Sequence, residues 1–159
     1  MMARVYLETS FISACVMNRT DTASVYRRDV SQDWWSKQST RHDVFISAEV
    51  IAELSRPTYP LSSKALDLIR NVPALDLDPS VQGLAAILVK ERVMPGPAQG
   101  DAVHVAAAAV HRCEYLLTWN VRHLANRNKL AHLTTICLRT GLVAPQILTP
   151  DLLWENEND

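Results

Sequence analysis

Four side chains stand at or near junctions between apolar runs and helix-opening or turn residues: Glu8, one of the helical pair Glu49 and Glu53, Asp101 and Asn120. Each offers oxygen, the donor that hard divalent cations such as Mg2+ and Mn2+ prefer. Brought together, they would hold metal for hydrolysis of a phosphodiester. Zinc chemistry has no comparable support. The five histidines are dispersed, and the three cysteines, Cys15, Cys113 and Cys137, lack metal-type spacing.

Each of these residues also has an ordinary structural explanation. Glu8 follows Arg4-Val5-Tyr6-Leu7 and precedes Thr9-Ser10, so it reads as an acid favoured by a helix start. Glu49 and Glu53 lie one turn apart on one helix, where either would serve as a solvated acid. With no basic residue between them they repel mildly, and a cation relieves that. Asp101 follows the loop Met94-Pro95-Gly96-Pro97-Ala98-Gln99-Gly100 and leads into an apolar helix. Its carboxylate would lie at a positive helix end, as a ligand or simply as a cap or first-turn acid. Asn120 closes Leu116-Leu117-Thr118-Trp119-Asn120, where turn chemistry alone would explain it. His104 reads as a packed core histidine, with a part in orienting ligands as the alternative.

The elements that must position these groups alternate between strand and helix patterns. Strands are expected at Arg4–Leu7, Val44–Ile46, Ala74–Leu77 and Tyr115–Thr118, with Gln146–Leu148 as a last edge strand. Between them, Thr9 or Ser10 would cap a helix starting near Phe11, and Thr22–Lys37 forms an amphipathic one. Ser47 caps Ala48–Leu54, and Ser62 or Ser63 caps a helix through Arg70. Further helices are expected over Ser80–Arg92, over Asp101–Arg112 (apolar nearly all round, hence central), from within Val121–Ala125, and over Lys129–Thr140 with Gly141 as its stop. This alternation implies an α/β fold with a central, mainly parallel sheet of four to five strands covered on both faces. In such sheets ligands collect outside the carboxyl ends of the strands, where Glu8 and Asn120 would sit.

The 159 residues suffice for one domain, placed at 1–150, followed by an acidic C-terminal tail, 151–159, expected to be frayed beyond Leu153. That tail carries Asp151, Glu155, Glu157 and Asp159; the residues before it hold all 16 basic residues against 13 acidic ones. A slightly basic body permits a polyanionic substrate without demanding one. No apolar stretch is long enough to span a bilayer, and the N-terminus lacks the layout of a signal peptide. With cysteines that read as reduced and buried, the expected location is cytoplasmic, with no membrane partner.

Taken in order, the motifs resemble those of the PIN-domain family. The resemblance runs from Val5 to about Leu148 and is carried by Tyr6-Leu7-Glu8-Thr9-Ser10, by Ile46-Ser47 with Val50 and Glu53-Leu54, by Gly100-Asp101-Ala102-Val103-His104-Val105-Ala106-Ala107-Ala108, and by Leu116-Leu117-Thr118-Trp119-Asn120 with His123-Leu124. It implies a three-layer α/β/α sandwich and a metal-dependent endoribonuclease, most often the toxin of a VapC-type toxin–antitoxin pair. Glu8, Glu53 and Asp101, assisted by Asn120, would bind one or two Mg2+ or Mn2+ ions. The metal would activate water and leave 5′-phosphate and 3′-hydroxyl ends on the RNA. Glu53 matches the family position, and Glu49 is the understudy. The family usually has Asp where this chain has Glu8, and often Asp where it has Asn120. Glu reaches one methylene further, and Asn keeps an oxygen but loses charge.

The resemblance also implies a homodimer and a cognate antitoxin protein. Thr9, Ser10 and Thr118 would orient the carboxylates. Arg122, Arg127 and Lys129 would touch phosphate or be plain surface charges, as would Arg27-Arg28. Trp34 and Trp35 read as core rather than as a partner surface. The competing reading is a catalytically weak or inactive PIN-like protein-interaction module. A phosphotransfer or phosphatase domain is disfavoured, because no acid-x-acid pattern follows Leu7 and no Gly-rich phosphate loop is present.

Overall fold

The computed structural model describes residues 2–124 and 126–156, apart from the side chain of His123. Its strands are β1 (Arg4–Leu7), β2 (Asp43–Ser47), β3 (Ala74–Leu75), β4 (Tyr115–Leu117) and β5 (Gln146–Leu148). They form one sheet in the order β3-β2-β1-β4-β5, and every pairing is parallel. Successive side chains of a strand point to opposite faces, yet Val5, Tyr6 and Leu7 are all fully buried. Both faces of the central strand are therefore covered, as a parallel sheet requires.

The helices are α1 (Thr9–Val16), α2 (Thr22–Lys37), α3 (Ala48–Leu54), α4 (Ser62–Leu68), α5 (Pro79–Lys90), α6 (Asp101–Val110), α7 (Val121–Leu124) and α8 (Arg127–Arg139). Every residue of α6 from Ala102 to Ala109 is buried, as its uniform apolarity demands. Phe11 of α1 meets Trp34 of α2 edge to face, with ring centroids 5.5 Å apart.

Chain order explains where polar groups collect. From β1 the chain builds outward through β2 and β3, then returns to the other side of β1 for β4 and β5. The direction of winding thus reverses between β1 and β4, which opens a crevice at their carboxyl ends. Backbone pairing continues one residue past each strand there: Glu8 N–H donates to Leu117 at 3.0 Å, and Thr118 N–H to Leu148 at 3.0 Å. This locks Glu8 and Thr118 side by side before their side chains are considered.

Several boundaries differ from expectation for identifiable reasons. Glu8 itself caps α1, with extended backbone (φ −77°, ψ 156°) and its carboxylate accepting from Ser10 N–H. Thr9 and Ser10 were the expected caps, but both lie inside the helix and their hydroxyls are engaged elsewhere. A cap of this kind contributes about 1 kcal/mol. Neither Ser62 nor Ser63 caps α4, which has no side-chain cap and ends at Leu68. Asp78 caps α5, with Pro79 in the first turn. Asn126 caps α8, which begins at Arg127, two residues before the expected start. Gly141 has φ 79°, the left-handed conformation expected of the residue that stops α8.

The segment after Leu153 is not frayed as far as Asn156. Trp34 donates its indole N–H to Leu153 O at 2.7 Å, and the Gln38 amide both donates to and accepts from the Glu155 backbone, at 2.9 and 2.8 Å. Arg41 adds a hydrogen bond to Asn156 O at 3.3 Å. These contacts satisfy backbone groups that a free tail would leave to water. Glu157 to Asp159 of the expected tail, and Ala125 of the expected helix, lie outside the described residues.

Candidate metal centre

Glu8 enters the crevice from the end of β1 and is only 4% exposed. Its Oε2 accepts from Ser10 N–H at 2.8 Å, from Thr118 Oγ1 at 2.9 Å and from the Ser10 hydroxyl. Thr118 Oγ1 in turn accepts from Asn120 N–H at 2.9 Å. Among the described residues no Lys or Arg pairs with Glu8. Burying a carboxylate without a cation costs several kcal/mol, which hydrogen-bond donors of this kind offset.

Glu53 arrives from the last turn of α3. Its Oε1 accepts from Thr9 Oγ1 at 2.6 Å and lies 2.5 Å from His104 Nε2, while Arg56 approaches Oε2 at 4.0 Å. Glu49, one turn earlier, accepts instead from Gly100 N–H at 2.9 Å, which ties down the loop before α6. Gly100 has φ 56°, where a side chain would be strained, and a Cβ placed there would lie 4.0 Å from Glu53 Oε2. Of the two acids that sequence reasoning held open, Glu53 thus faces Glu8, and Glu49 serves the backbone.

Asp101 opens α6 with Gly100 at the cap position. Its Oδ1 accepts a long hydrogen bond, 3.4 Å, from the Asn120 amide. Asp101 and Asn120 thus form one hydrogen-bonded pair, Asn120 reaches Glu8 through Thr118, and Glu8 and Glu53 bring ligand oxygens within 4.8 Å of each other.

A grouping of possible ligands among the described residues includes His104, expected to be a packed core histidine or, alternatively, to orient ligands. One donor atom each from Glu8, Glu53 and His104 lies within 4.8 Å of the others. His104 is fully buried, and its Nδ1 lies 2.6 Å from the Tyr6 hydroxyl, which lies 2.7 Å from Ser47 Oγ. Two spacing signals pointed this way. Tyr6 is two residues from Glu8 and so shares its strand face; His104 is three residues from Asp101 and shares its helix face.

Charge is distributed accordingly. Burial pulls the Glu53 carboxyl up, yet the hydrogen bond and charge of His104, helped by Thr9 and Arg56, hold it below its ordinary value. Burial acts to strip the proton from His104, but the bond to Glu53 and the charges of Glu8, Glu53 and Glu49 outweigh it and raise the imidazole above its ordinary value. Burial also keeps the Tyr6 phenol protonated, well above its usual range. The pocket thus attracts positive charge. Two carboxylates and an imidazole converging from three elements are a donor set that fits a divalent cation.

Beyond these groups, Arg27 lies over the Trp119 ring at 5.6 Å, and Tyr26 meets that ring edge-on at 6.2 Å, one residue from Asn120. Arg28 is turned to structural use, donating to Met17 O and Arg19 O at 3.4 Å. Arg122 and Arg127 are exposed and Lys129 is half-buried. A cavity of about 470 Å³, lined by Ala109, Arg112, Cys113, Leu142 and Gln146 among others, lies where β4 and β5 begin. That is the opposite end of the strands from the carboxylates. All three cysteines are free and buried, as expected. No helix among the described residues is long and apolar enough to cross a membrane.

No family model and no curated protein matches the chain by sequence. Solved structures do match by shape. FitAcB from Neisseria gonorrhoeae superposes with a TM-score of 0.57 at 16% identity, over 94% of this chain and 99% of that one. VapBC-1 from nontypeable Haemophilus influenzae gives 0.58 at 16% identity, over 93% and 98%. VapBC2 from Rickettsia felis, bound to a DNA fragment from its promoter, gives 0.54 at 16% identity, over 75% and 89%. At such identities the likeness is one of fold, and it agrees with the five-stranded parallel sheet: the chain has a PIN-like α/β fold shared with chains of the VapBC and FitAcB structures.

Proposed function

We propose that the protein is a metal-dependent endoribonuclease, the toxin of a VapC-type toxin–antitoxin pair. The observation that carries this reading is the convergence of Glu8 and Glu53 at the β1/β4 crevice, with Asp101 and Asn120 beside them. Glu8, Glu53 and Asp101 would hold Mg2+ or Mn2+, and the Asn120 oxygen would assist. When bound, the ion supplies Lewis acidity for a phosphoryl oxygen and for the attacking water. The chain's own part is positioning. Ser10 and Thr118 fix one Glu8 oxygen, Thr9 fixes one Glu53 oxygen, and the Asn120 amide steadies Asp101. Arg27 and the exposed Arg122 and Arg127 offer positive charge to the RNA backbone near Trp119 and Asn120. The partners that go with this reading are RNA, an antitoxin and a second copy of the chain.

A second reading, a catalytically weak or inactive interaction module, draws on one observation. His104 pairs with Glu53 and Asn120 with Asp101, so the acids are partly satisfied without an ion. RNA cleavage with Mn2+ or Mg2+ present decides between the two. The nuclease reading expects cleavage that stops in EDTA and falls by roughly two orders of magnitude or more in Asp101→Asn and Glu53→Gln. Cleavage that survives equally in EDTA and in both variants refutes the mechanism. Absence of cleavage by a folded, partner-free protein favours the module.

A further inference from the structure

We infer that His104 is itself a metal ligand through Nε2, which makes this a mixed oxygen–nitrogen centre suited to a first-row transition ion over Mg2+. The inference rests on the divalent-metal reading above and deepens it.

Three observations support it. First, a ring nitrogen of His104 belongs to the grouping in which one donor each from Glu8, Glu53 and His104 lies within 4.8 Å of the others, a grouping that does not include Asp101, and Nε2 is the nitrogen that faces Glu53. Second, the far side of the ring is already tied. Ser47 Oγ accepts from Glu49 N–H at 3.3 Å and lies 2.7 Å from the Tyr6 hydroxyl, which lies 2.6 Å from His104 Nδ1. With Tyr6 donating to Ser47, the Tyr6 oxygen is free to accept from Nδ1–H. That leaves the Nε2 lone pair aimed at the carboxylates. A ligating histidine commonly donates its other N–H to such a buried oxygen, which fixes tautomer and ring angle. Third, Nε2 lies 2.5 Å from Glu53 Oε1, and two acceptor atoms that close require something positive between them. A proton meets that need in the metal-free protein, and a cation meets it in the loaded one.

The consequence is selectivity. Carboxylates and carboxamides suit Mg2+ and Mn2+ alike, whereas an imidazole nitrogen favours transition ions and adds little for Mg2+. Tyr6 and Ser47 then act as positioning residues for His104.

Pulsed EPR of the full chain loaded with Mn2+ tests this directly. Nitrogen hyperfine coupling from a bound imidazole is expected in the wild type, altered by ¹⁵N-histidine labelling and absent in His104→Gln. Calorimetry with Co2+ and Mg2+ adds a second measurement: the Co2+/Mg2+ affinity ratio should fall roughly tenfold in His104→Gln, with Mg2+ binding little changed. Tyr6→Phe keeps the ring but removes its anchor, so coupling should persist while Mn2+ affinity drops by about tenfold. The wild-type spectrum does not depend on any variant folding. Mn2+ bound without nitrogen coupling overturns this inference and leaves the nuclease reading standing. No Mn2+ binding by the wild type overturns both.

Discussion

The two ends of the sheet are built from the same strands, yet they treat polar groups in opposite ways. At the end where the strands begin, charge is closed off. The Arg4 guanidinium donates to His111 O at 2.9 Å and covers the Phe45 ring at 4.3 Å. His42 is buried flat against Trp34, with interplanar angle 3°, and accepts from Ala3 N–H at 3.4 Å. At the end where the strands finish, Glu8 is buried without Lys or Arg among the described residues, and the positive partners described for Glu53 are His104 and a distant Arg56. The first arrangement spends burial on stability. The second keeps two carboxyl groups largely out of water, an arrangement that the cation of the proposed metal site would stabilise.

Breaking the first end should produce the larger effect on folding. Trp34→Ala removes a fully buried indole, its stack on His42 and its hydrogen bond to Leu153 O. It should cost about 3–5 kcal/mol in urea denaturation while the folded fraction keeps its Mn2+ affinity. A parallel loss of metal affinity per folded molecule would show that the two ends are not independent.

At the other end, Glu8 separates charge from shape. Glu8→Gln should weaken Mn2+ binding by roughly tenfold or more in calorimetry, while Glu8→Asp, which keeps the charge on a shorter arm, should preserve or improve it. Equal binding by Glu8→Gln and the wild type would remove Glu8 from the site. Stability should respond less than in Trp34→Ala, because the carboxamide retains the volume and an acceptor for Ser10 N–H.

The smallest expected effect is a pH dependence at the sealed end. Burial pushes the His42 imidazole below its ordinary value of 6.5, partly opposed by the Glu155 carboxylate. Its Nε2 is buried without a hydrogen-bond partner among the described residues, so the neutral ring is the form that fits. A base whose folded value is depressed contributes stability that is full above its unfolded value. That stability is lost as pH falls from about 6.5 toward the folded value. Urea melts at pH 8, 6.5 and 5.5 should show this decline, and it should be shallower in His42→Phe. An identical slope in the two proteins would remove His42 as the cause.

Much of the scaffold was legible because it rests on local chemistry. Four of the five strands fall within a residue or so of their sequence-read limits at each end, since each is a short β-prone run between polar breaks. The exception, β3, is half its expected length, because propensity cannot say how many residues find a pairing partner. The helix starts were harder. Glu8 caps α1 where Thr9 and Ser10 looked suitable, and Asp78 caps α5 ahead of its expected start at Ser80, because a cap is set by which oxygen the extended backbone points at the first turn. The docked segment up to Asn156 was invisible, since it depends on Gln38 and Trp34 lying over a hundred residues away in the chain.

The sequence by itself determined the alternation of strand and helix, the burial of α6 and the junction positions of Glu8, Asp101 and Asn120. These follow from periodicity, apolar runs and breakers, which act over a few residues. Only the tertiary structure decided that Glu53 and not Glu49 faces Glu8. It also decided that His104 joins them, held from behind by Tyr6 and Ser47. The reason is geometric: β1, α3 and α6 each dictate which way their own side chains point, but only their packing decides which of those directions meet.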